Sequence, residues 1–243
     1  MRLIDAALRG GGGASGAAGN RELVVLVDDV AHPMRALLSR VARESVVQPA
    51  MVLRVEPKTA ERAAEIGATA TSAIEVGVPL DGCEIGKKVE AAAVSSGARL
   101  LLVDSFSGLF ARLGADVLVF RLLQSWMRLF ERVVLLHHSD VVSAATTAQL
   151  IGLANTSFVV DDDDINPTRL LVLPPPTLST GPLTFGVRMR TQAPGARMQI
   201  ECALMAIDRQ SSLVSFSSLE KVRNCSIVFL LLLLNWESFN LFF

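Results

Sequence analysis

The chain has few cysteines, and their spacing suggests neither a cross-link nor a metal site. Cys83, Cys202 and Cys225 lie far apart and form no CxxC pair. Small disulfide-bonded domains and structural zinc sites both depend on closely spaced cysteines, so this spacing argues against both classes. We therefore expect a protein of a reducing compartment that folds without disulfides and holds no metal.

Charge is also scarce and nearly balanced. Lys and Arg total 23 and Asp and Glu total 24, a net charge of -1, and only 19% of residues are charged. The balance excludes non-specific attraction of the whole surface to nucleic acid or anionic lipid. The 51% of hydrophobic residues excludes a disordered chain, and 243 residues suit one domain with appendages.

The first twenty residues do not have the pattern of a secretory signal. Met1–Arg9 is short, charged and mildly amphipathic, with Leu3, Ile4, Ala7 and Leu8 on one helical face. Gly10–Gly19 has the composition of a flexible linker. Residues 1–20 are thus predicted to be a short docking helix on a tether.

Apolar runs alternate with helical patterns over the next 140 residues. Continuous apolar runs are typical of parallel strands covered on both faces, and they occur at Glu22–Asp29, Met51–Val55, Arg99–Asp104, Arg132–Leu136 and Thr156–Val160. Helices are predicted over Met34–Arg43, Pro57–Ile66, Ile85–Ser95, Ser105–Leu113, Ala115–Phe130 and Ala144–Ala154. Residues 68–82 are ambiguous.

This alternation predicts an α/β fold with a doubly wound, mainly parallel sheet and helices on both faces. Two later strands, Arg169–Leu173 and Leu183–Arg190, are predicted to form an antiparallel hairpin at the sheet edge. The main domain is predicted to span residues 21–200. Residues 201–243 form an atypical apolar tail, and the serine-rich passage at 211–220 fits no element well.

The turn after the first strand does not have the composition of a phosphate loop. Such a loop needs glycines and a helix N-terminus that present amides to the phosphates. Asp28–Pro33 instead offers two aspartates and a proline, with no glycine or lysine. No triphosphate is expected to bind there, so we predict no cofactor site and no catalytic residue.

Two other segments resemble parts of a nucleotide site only weakly. Gly82–Lys88 approaches the GxxxxGK[ST] pattern but is one residue short and ends in lysine. Asp104 ends an apolar strand, as a magnesium-orienting aspartate would, although Asp104 or Ser105 more simply caps the next helix. An enzyme that uses Lys87 and Asp104 as a degenerate nucleotide site is therefore the alternative function.

Several stretches together carry a family resemblance. They are the loop-free opening strand Glu22–Asp29, the turn Val103–Leu109 (VDSFSGL), the segment Val134–Leu153, and the late strand Leu183–Met189 (LTFGVRM). Over about residues 1–195 the chain resembles the family of Elongator complex subunit five, RecA-like proteins without a nucleotide-binding loop. The sequence from about Cys202 onward has no counterpart in that family.

The resemblance implies a scaffold role. Members of that family have no activity alone. They assemble with the paralogous RecA-like subunits four and six into a hexameric ring of two copies each. The ring joins the Elongator core and supports modification of the wobble uridine of certain transfer RNAs, which it meets through the assembly. The resemblance further implies a cytoplasmic and nuclear location.

The remaining single residues are expected to have structural roles. His137 and His138 are neighbours on a strand end and point to opposite faces, so with His32 remote we expect no shared metal. Asp161–Asp164 is interpreted as a solvated loop. Core packing is expected for Trp126, Leu122, Leu129 and Phe130, and a solvated helix face for Arg112, Arg121, Arg128 and Arg132.

The last segment, Cys225–Phe243, is strongly apolar. Its eight-residue run Ile227–Leu234 and single charge, Glu237, leave three interpretations open: a tail anchor, a buried element of the core, or the end of an alternative transcript. Asn235, Glu237 and Asn240 would be costly inside a bilayer, so a membrane partner is disfavoured, and a tail-anchored adaptor remains a second alternative function.

Overall fold

A computed structural model describes residues 2–10, 21–29, 34–55, 72–76, 81–160, 182–192, 198–208, 211 and 213–218. Its helices are α1 (Arg2–Arg9), α2 (Arg35–Glu44), α3 (Gly82–Ser96), α4 (Phe106–Leu113), α5 (Asp116–Leu129) and α6 (Ala144–Leu153). Its strands are β1 (Glu22–Asp28), β2 (Ala50–Arg54), β3 (Ser72–Glu75), β4 (Leu100–Val103), β5 (Arg132–His138), β6 (Thr156–Val160), β7 (Leu183–Thr191), β8 (Gln199–Ile207) and β9 (Val214–Ser218).

The strands form one nine-stranded sheet in the order β3-β2-β4-β5-β1-β6-β7-β8-β9. The first six in this order run parallel, and β7, β8 and β9 continue the sheet antiparallel. β1 and β5 are parallel neighbours in the sheet although β2, β3 and β4 lie between them in the chain. Parallel neighbours need crossover connections, and these connections cover the faces of the sheet. The predicted α/β class, with a mainly parallel sheet and an antiparallel edge, is confirmed.

Apolar residues on both faces of the parallel strands explain the two layers of helices. In β1, Val24 and Leu26 belong to the core under α1 and α2. Leu23, Val25 and Val27 point the other way, into the core under α3, α4, α5 and α6. Period-two alternation within an all-apolar strand therefore supplies both cores at once.

The antiparallel edge is larger than the predicted hairpin. β7 pairs with β6 on one side and with β8 on the other, and β9 pairs with β8, so the sheet extends to Ser218. The interpretation of the serine-rich passage was wrong, because Val214 and Phe216 of β9 are buried in the core while Ser215 and Ser217 face out. The predicted helix at 57–66, the strand at 169–173 and the segment 225–243 lie outside the described residues.

Candidate functional site

The carboxyl ends of β1, β4 and β5 meet at one edge of the sheet, where doubly wound proteins bind their ligands. Their last residues include the polar groups that the sequence singled out. Asp28 closes β1, His138 closes β5, and Asp104 follows β4 directly. What these side chains contact decides what this edge can bind.

Asp28 contacts the N-terminus of α2, and helix N-termini are common binding positions for phosphates. The residue is 1% exposed, and its Oδ2 accepts a hydrogen bond of 2.8 Å from the backbone N–H of Met34, at the start of α2. Its backbone oxygen accepts from both the N–H and the Oγ of Ser139, at 2.8 and 2.9 Å. A helix N-terminus that would attract an anion is thus served by a carboxylate of the chain itself.

His138 fixes the other oxygen of the same carboxylate. The Nδ1 atom of His138 lies 2.5 Å from Oδ1 of Asp28, across the paired ends of β5 and β1. The backbone N–H of His138 donates to Oγ of Ser107 in α4 at 3.2 Å. His138 therefore ties β1, β5 and α4 together at the edge.

Asp104 has a structural contact that the sequence did not reveal. Its Oδ1 accepts a hydrogen bond of 2.7 Å from the backbone N–H of Val55, which joins the end of β4 to the end of β2. The helix cap is Ser105, whose Oγ accepts from the N–H of Gly108 at 3.3 Å. Of the two capping candidates, Ser105 is confirmed, and Asp104 contacts the neighbouring strand.

The segment Gly82–Lys88 is helical and forms no loop. α3 begins at Gly82 with Asp81 as its N-cap, and Lys87 is exposed on the helix. A Cβ built on Gly82 or on Gly86 would lie 3.7 or 3.4 Å from the methyl groups of Leu122 in α5. These are ordinary van der Waals distances, so both glycines face the α5 side chain and each position has room for a methyl group.

His137 and His138 do point to opposite faces, as predicted. His137 is fully buried beside Phe110, and its Nε2 lies 3.0 Å from Oγ1 of Thr147. Burial, aided by the charge of His138, lowers the pKa of His137 to about 4. The described residues include no group of three or more metal-ligating side chains. His32 and Asp161–Asp164 lie outside the described part of the chain.

Arg132 is the residue that sequence analysis placed most wrongly. It was assigned to a solvated helix face, but it opens β5 and is 0% exposed. Its guanidinium donates to the carbonyls of Ala7 and Leu8, the latter at 3.0 Å, and so satisfies the last turn of α1. The predicted docking helix is therefore held by a buried arginine from the sheet.

Glu22 and Gly10 also lie close to the Arg132 guanidinium. Oε2 of Glu22 lies 3.1 Å from Nε of Arg132. Burial lowers the pKa of Arg132, and it raises the pKa of Glu22 although the arginine opposes that shift. Gly10 adopts a φ of +74°, and a Cβ there would lie 2.8 Å from Nη1 of Arg132. No sequence motif marks this group, because Arg132 lies 110 residues after Glu22 and 122 residues after Gly10.

The remaining candidates are divided between core and surface. Trp126, Leu122 and Phe130 are buried as predicted, whereas Leu129 is 39% exposed, which corrects its assignment to the core. Arg112 donates to the backbone oxygen of Val76 at 2.8 Å. Arg121 and Arg128 lie exposed on α5, as expected of a solvated face.

Comparison with known proteins shows the fold. The structure resembles that of a KaiC-like protein from the hyperthermophilic archaeon Pyrococcus horikoshii OT3, with a TM-score of 0.55 and 10% sequence identity over 81% of this chain and 89% of that one. No protein-family model and no curated protein matches the sequence. None of the helices in the described ranges is long and apolar enough to cross a membrane. The chain has a RecA-like fold, and at the carboxyl edge of its sheet Asp28, Asp104 and His138 contact other groups of the chain.

Proposed function

We propose that the protein is a non-catalytic, RecA-like subunit of the Elongator complex. In this role it assembles with the paralogous subunits four and six into a hexameric ring. The ring joins the Elongator core and supports modification of the wobble uridine in transfer RNA, which the chain meets only through the assembly. Such a protein acts in the cytoplasm and the nucleus and is not an enzyme.

The contact between Asp28 and the amide of Met34 carries the proposal. A nucleotide phosphate at the start of α2 would have to displace this carboxylate from an N–H that it already binds at 2.8 Å. It would also meet the negative charge of a buried aspartate at short range, which is repulsive in a poorly solvated site. A RecA-like subunit with this edge is suited to assembly rather than to nucleotide hydrolysis.

The position of the family-like stretches also supports the proposal. The turn at 103–109 joins β4 to α4 and carries the Ser105 cap and the Ser107 contact to His138. The stretch at 134–153 covers most of β5 and all of α6, and the stretch at 183–189 lies in β7. The resemblance therefore falls on elements that build the sheet edge and its antiparallel extension.

The alternative enzyme has less support from the geometry. Its two candidate residues would have to face one phosphate group. Lys87 is exposed on α3, while Asp104 is buried and engaged by the Val55 amide. The tail-anchored adaptor depends on residues outside the described part of the chain, and a vesicle-pelleting assay with and without residues 225–243 tests it.

Co-purification tests the proposal. The full chain, carrying an affinity tag, is co-expressed with subunits four and six, and the molar mass of the recovered complex is measured by light scattering. We expect both partners in amounts equal to the tagged chain. Calorimetry of the isolated chain with ATP should show no binding. Absence of both partners, or micromolar ATP affinity, would overturn the proposal.

A further inference from the structure

One side of α5 exposes large apolar residues that the core does not use. Val117 is 63% exposed, Leu118 42% and Leu129 39%. At 100° per residue they share one arc of about 140° with four polar residues. We call this arc the α5 outer face: Val117, Leu118, Arg121, Gln124, Ser125, Arg128 and Leu129.

The opposite side of α5 already supplies the packing that holds the helix. Val119, Leu123 and Trp126 are buried against the sheet, and Leu122 contacts the α3 glycines. Val117, Leu118 and Leu129 are not among the buried residues that anchor the helix. Val117 and Leu118 lie at the start of this anchored helix and Leu129 lies at its end, so a partner that lies along the helix can bury all three.

The charge of the outer face has one sign. Arg121 and Arg128 are both exposed, and neither has an ion pair among the described residues. The nearby acids are engaged elsewhere, since Asp116 accepts from Oγ1 of Thr146 at 2.8 Å and Glu131 pairs with Arg99. By contrast, the exposed charges of α3 balance: Glu84 and Glu90 against Lys87 and Lys88.

The spacing of these groups describes the partner. Arg121 and Arg128 are seven residues apart, a rise of about 10.5 Å, and Leu118 and Leu129 span about 16 Å. A three-turn helix with acidic residues one heptad apart and apolar residues between them matches both features. Ser125 lies between the two leucines, and its Oγ already donates a hydrogen bond of 2.7 Å to the Leu122 carbonyl. Its hydroxyl proton therefore needs no acceptor from the partner helix.

We propose that the α5 outer face binds an acidic amphipathic helix of a neighbouring subunit in the ring. This inference rests on the function proposed above and assigns one of its contact surfaces. The arginines select the acidic partner helix and the aliphatic residues are buried under it. A nucleic acid would use the arginines but leave Val117, Leu118 and Leu129 in water, so a protein partner accounts for more of the surface.

The test compares three double variants in the co-expression experiment with subunits four and six. They are Arg121→Glu/Arg128→Glu, Val117→Ser/Leu118→Ser, and the control Lys87→Glu/Lys88→Glu on α3. Each is first shown to unfold at the same temperature as the unchanged chain. We expect either α5 variant to recover about tenfold less partner and the control to recover the full amount.

A second measurement locates the contact directly. A photo-reactive phenylalanine analogue is placed at Leu129, or at Val94 on α3 as the control, in the assembled complex. We expect cross-links to a partner subunit from position 129 only. Full recovery of partners by both α5 variants, or no cross-link from position 129, would overturn this inference while leaving the proposed function intact.

Two other results would also be decisive. If the unchanged chain recovers no partner, the proposed function fails and this inference fails with it. If the arginine variant recovers partners normally but loses binding to a transfer RNA transcript in a mobility-shift assay, the face is a nucleic-acid surface and the protein-docking inference is wrong.

Discussion

Asp28 and His138 face each other across two parallel strands that are 110 residues apart in the chain, with 2.5 Å between Oδ1 and Nδ1. The same carboxylate accepts the Met34 amide through Oδ2. One buried side chain thus joins the ends of β1 and β5 to the start of α2. Asp28 therefore has two structural roles, since it holds the start of α2 and the end of β5.

Replacing Asp28 tests this double role. Asp28→Ala leaves the Met34 amide without its acceptor and His138 without its partner, so we expect the free energy of unfolding to fall by about 2 kcal/mol. Urea denaturation measures the loss, with the exposed Asp140→Asn as control. Because the loop lacks glycine and lysine, the variant should still not bind ATP. An Asp28→Ala protein as stable as the control would contradict the assigned contact.

His137 should make stability depend on pH. Its pKa is lowered from 6.5 to about 4, so the unfolded chain binds more protons between these values. The contribution of the neutral His137 side chain to the free energy of unfolding is therefore complete above pH 6.5. It is lost as the pH falls towards 4, by about 3 kcal/mol in all.

The measurement compares the unchanged chain with His137→Gln, which cannot titrate. The comparison is needed because burial also raises the pKa of Glu22. Ionisation of Glu22 therefore lowers the free energy of unfolding of both proteins as the pH rises through the acidic range. The stability difference between the two proteins should be constant above pH 7 and shrink below 6.5. A difference that does not change with pH would refute the prediction.

Arg132 should hold α1 on the domain. Arg132→Met leaves the carbonyls of Ala7 and Leu8 and the carboxylate of Glu22 without their buried partner, a change that costs about 3 kcal/mol. Hydrogen exchange should show faster amide exchange in α1. Arg121→Met, an exposed arginine changed in the same way, is the control and should exchange like the unchanged chain. Slow exchange of α1 in Arg132→Met would show that another contact holds it.

Gly86 should behave as a helix-packing residue. Gly86→Ala places a Cβ in ordinary contact with Leu122 and gains helix propensity, so we expect stabilisation of up to about 1 kcal/mol. Gly86→Leu would overpack the α3–α5 contact and cost about 1–3 kcal/mol. Gly152→Leu, at a helix position with nothing within 4 Å, is the matched control. Thermal unfolding separates the three, and equal effects of both leucine substitutions would argue against close packing at Gly86.

Local composition was enough to predict β1, β2, β4, β5, β6 and β7, but it did not reveal β3, β8 or β9. The apolar runs of β1, β4 and β5 predict buried strands, because apolar side chains on both faces of a strand must be covered. This pattern does not appear in β9, where Val214 and Phe216 alternate with serines over only five residues. A short, half-buried strand with small polar residues resembles a loop until its neighbour β8 is known.

The sequence by itself determined the alternation of strands and helices, the absence of glycine and lysine from the first turn, and the opposite directions of His137 and His138. Each of these follows from residues next to one another. Only the tertiary structure decided that Asp28 binds Met34 and His138, that Asp104 reaches Val55, and that Arg132 is buried under α1. Those contacts join segments brought together by the crossovers of the sheet, and no local pattern encodes which distant group a buried charge will meet.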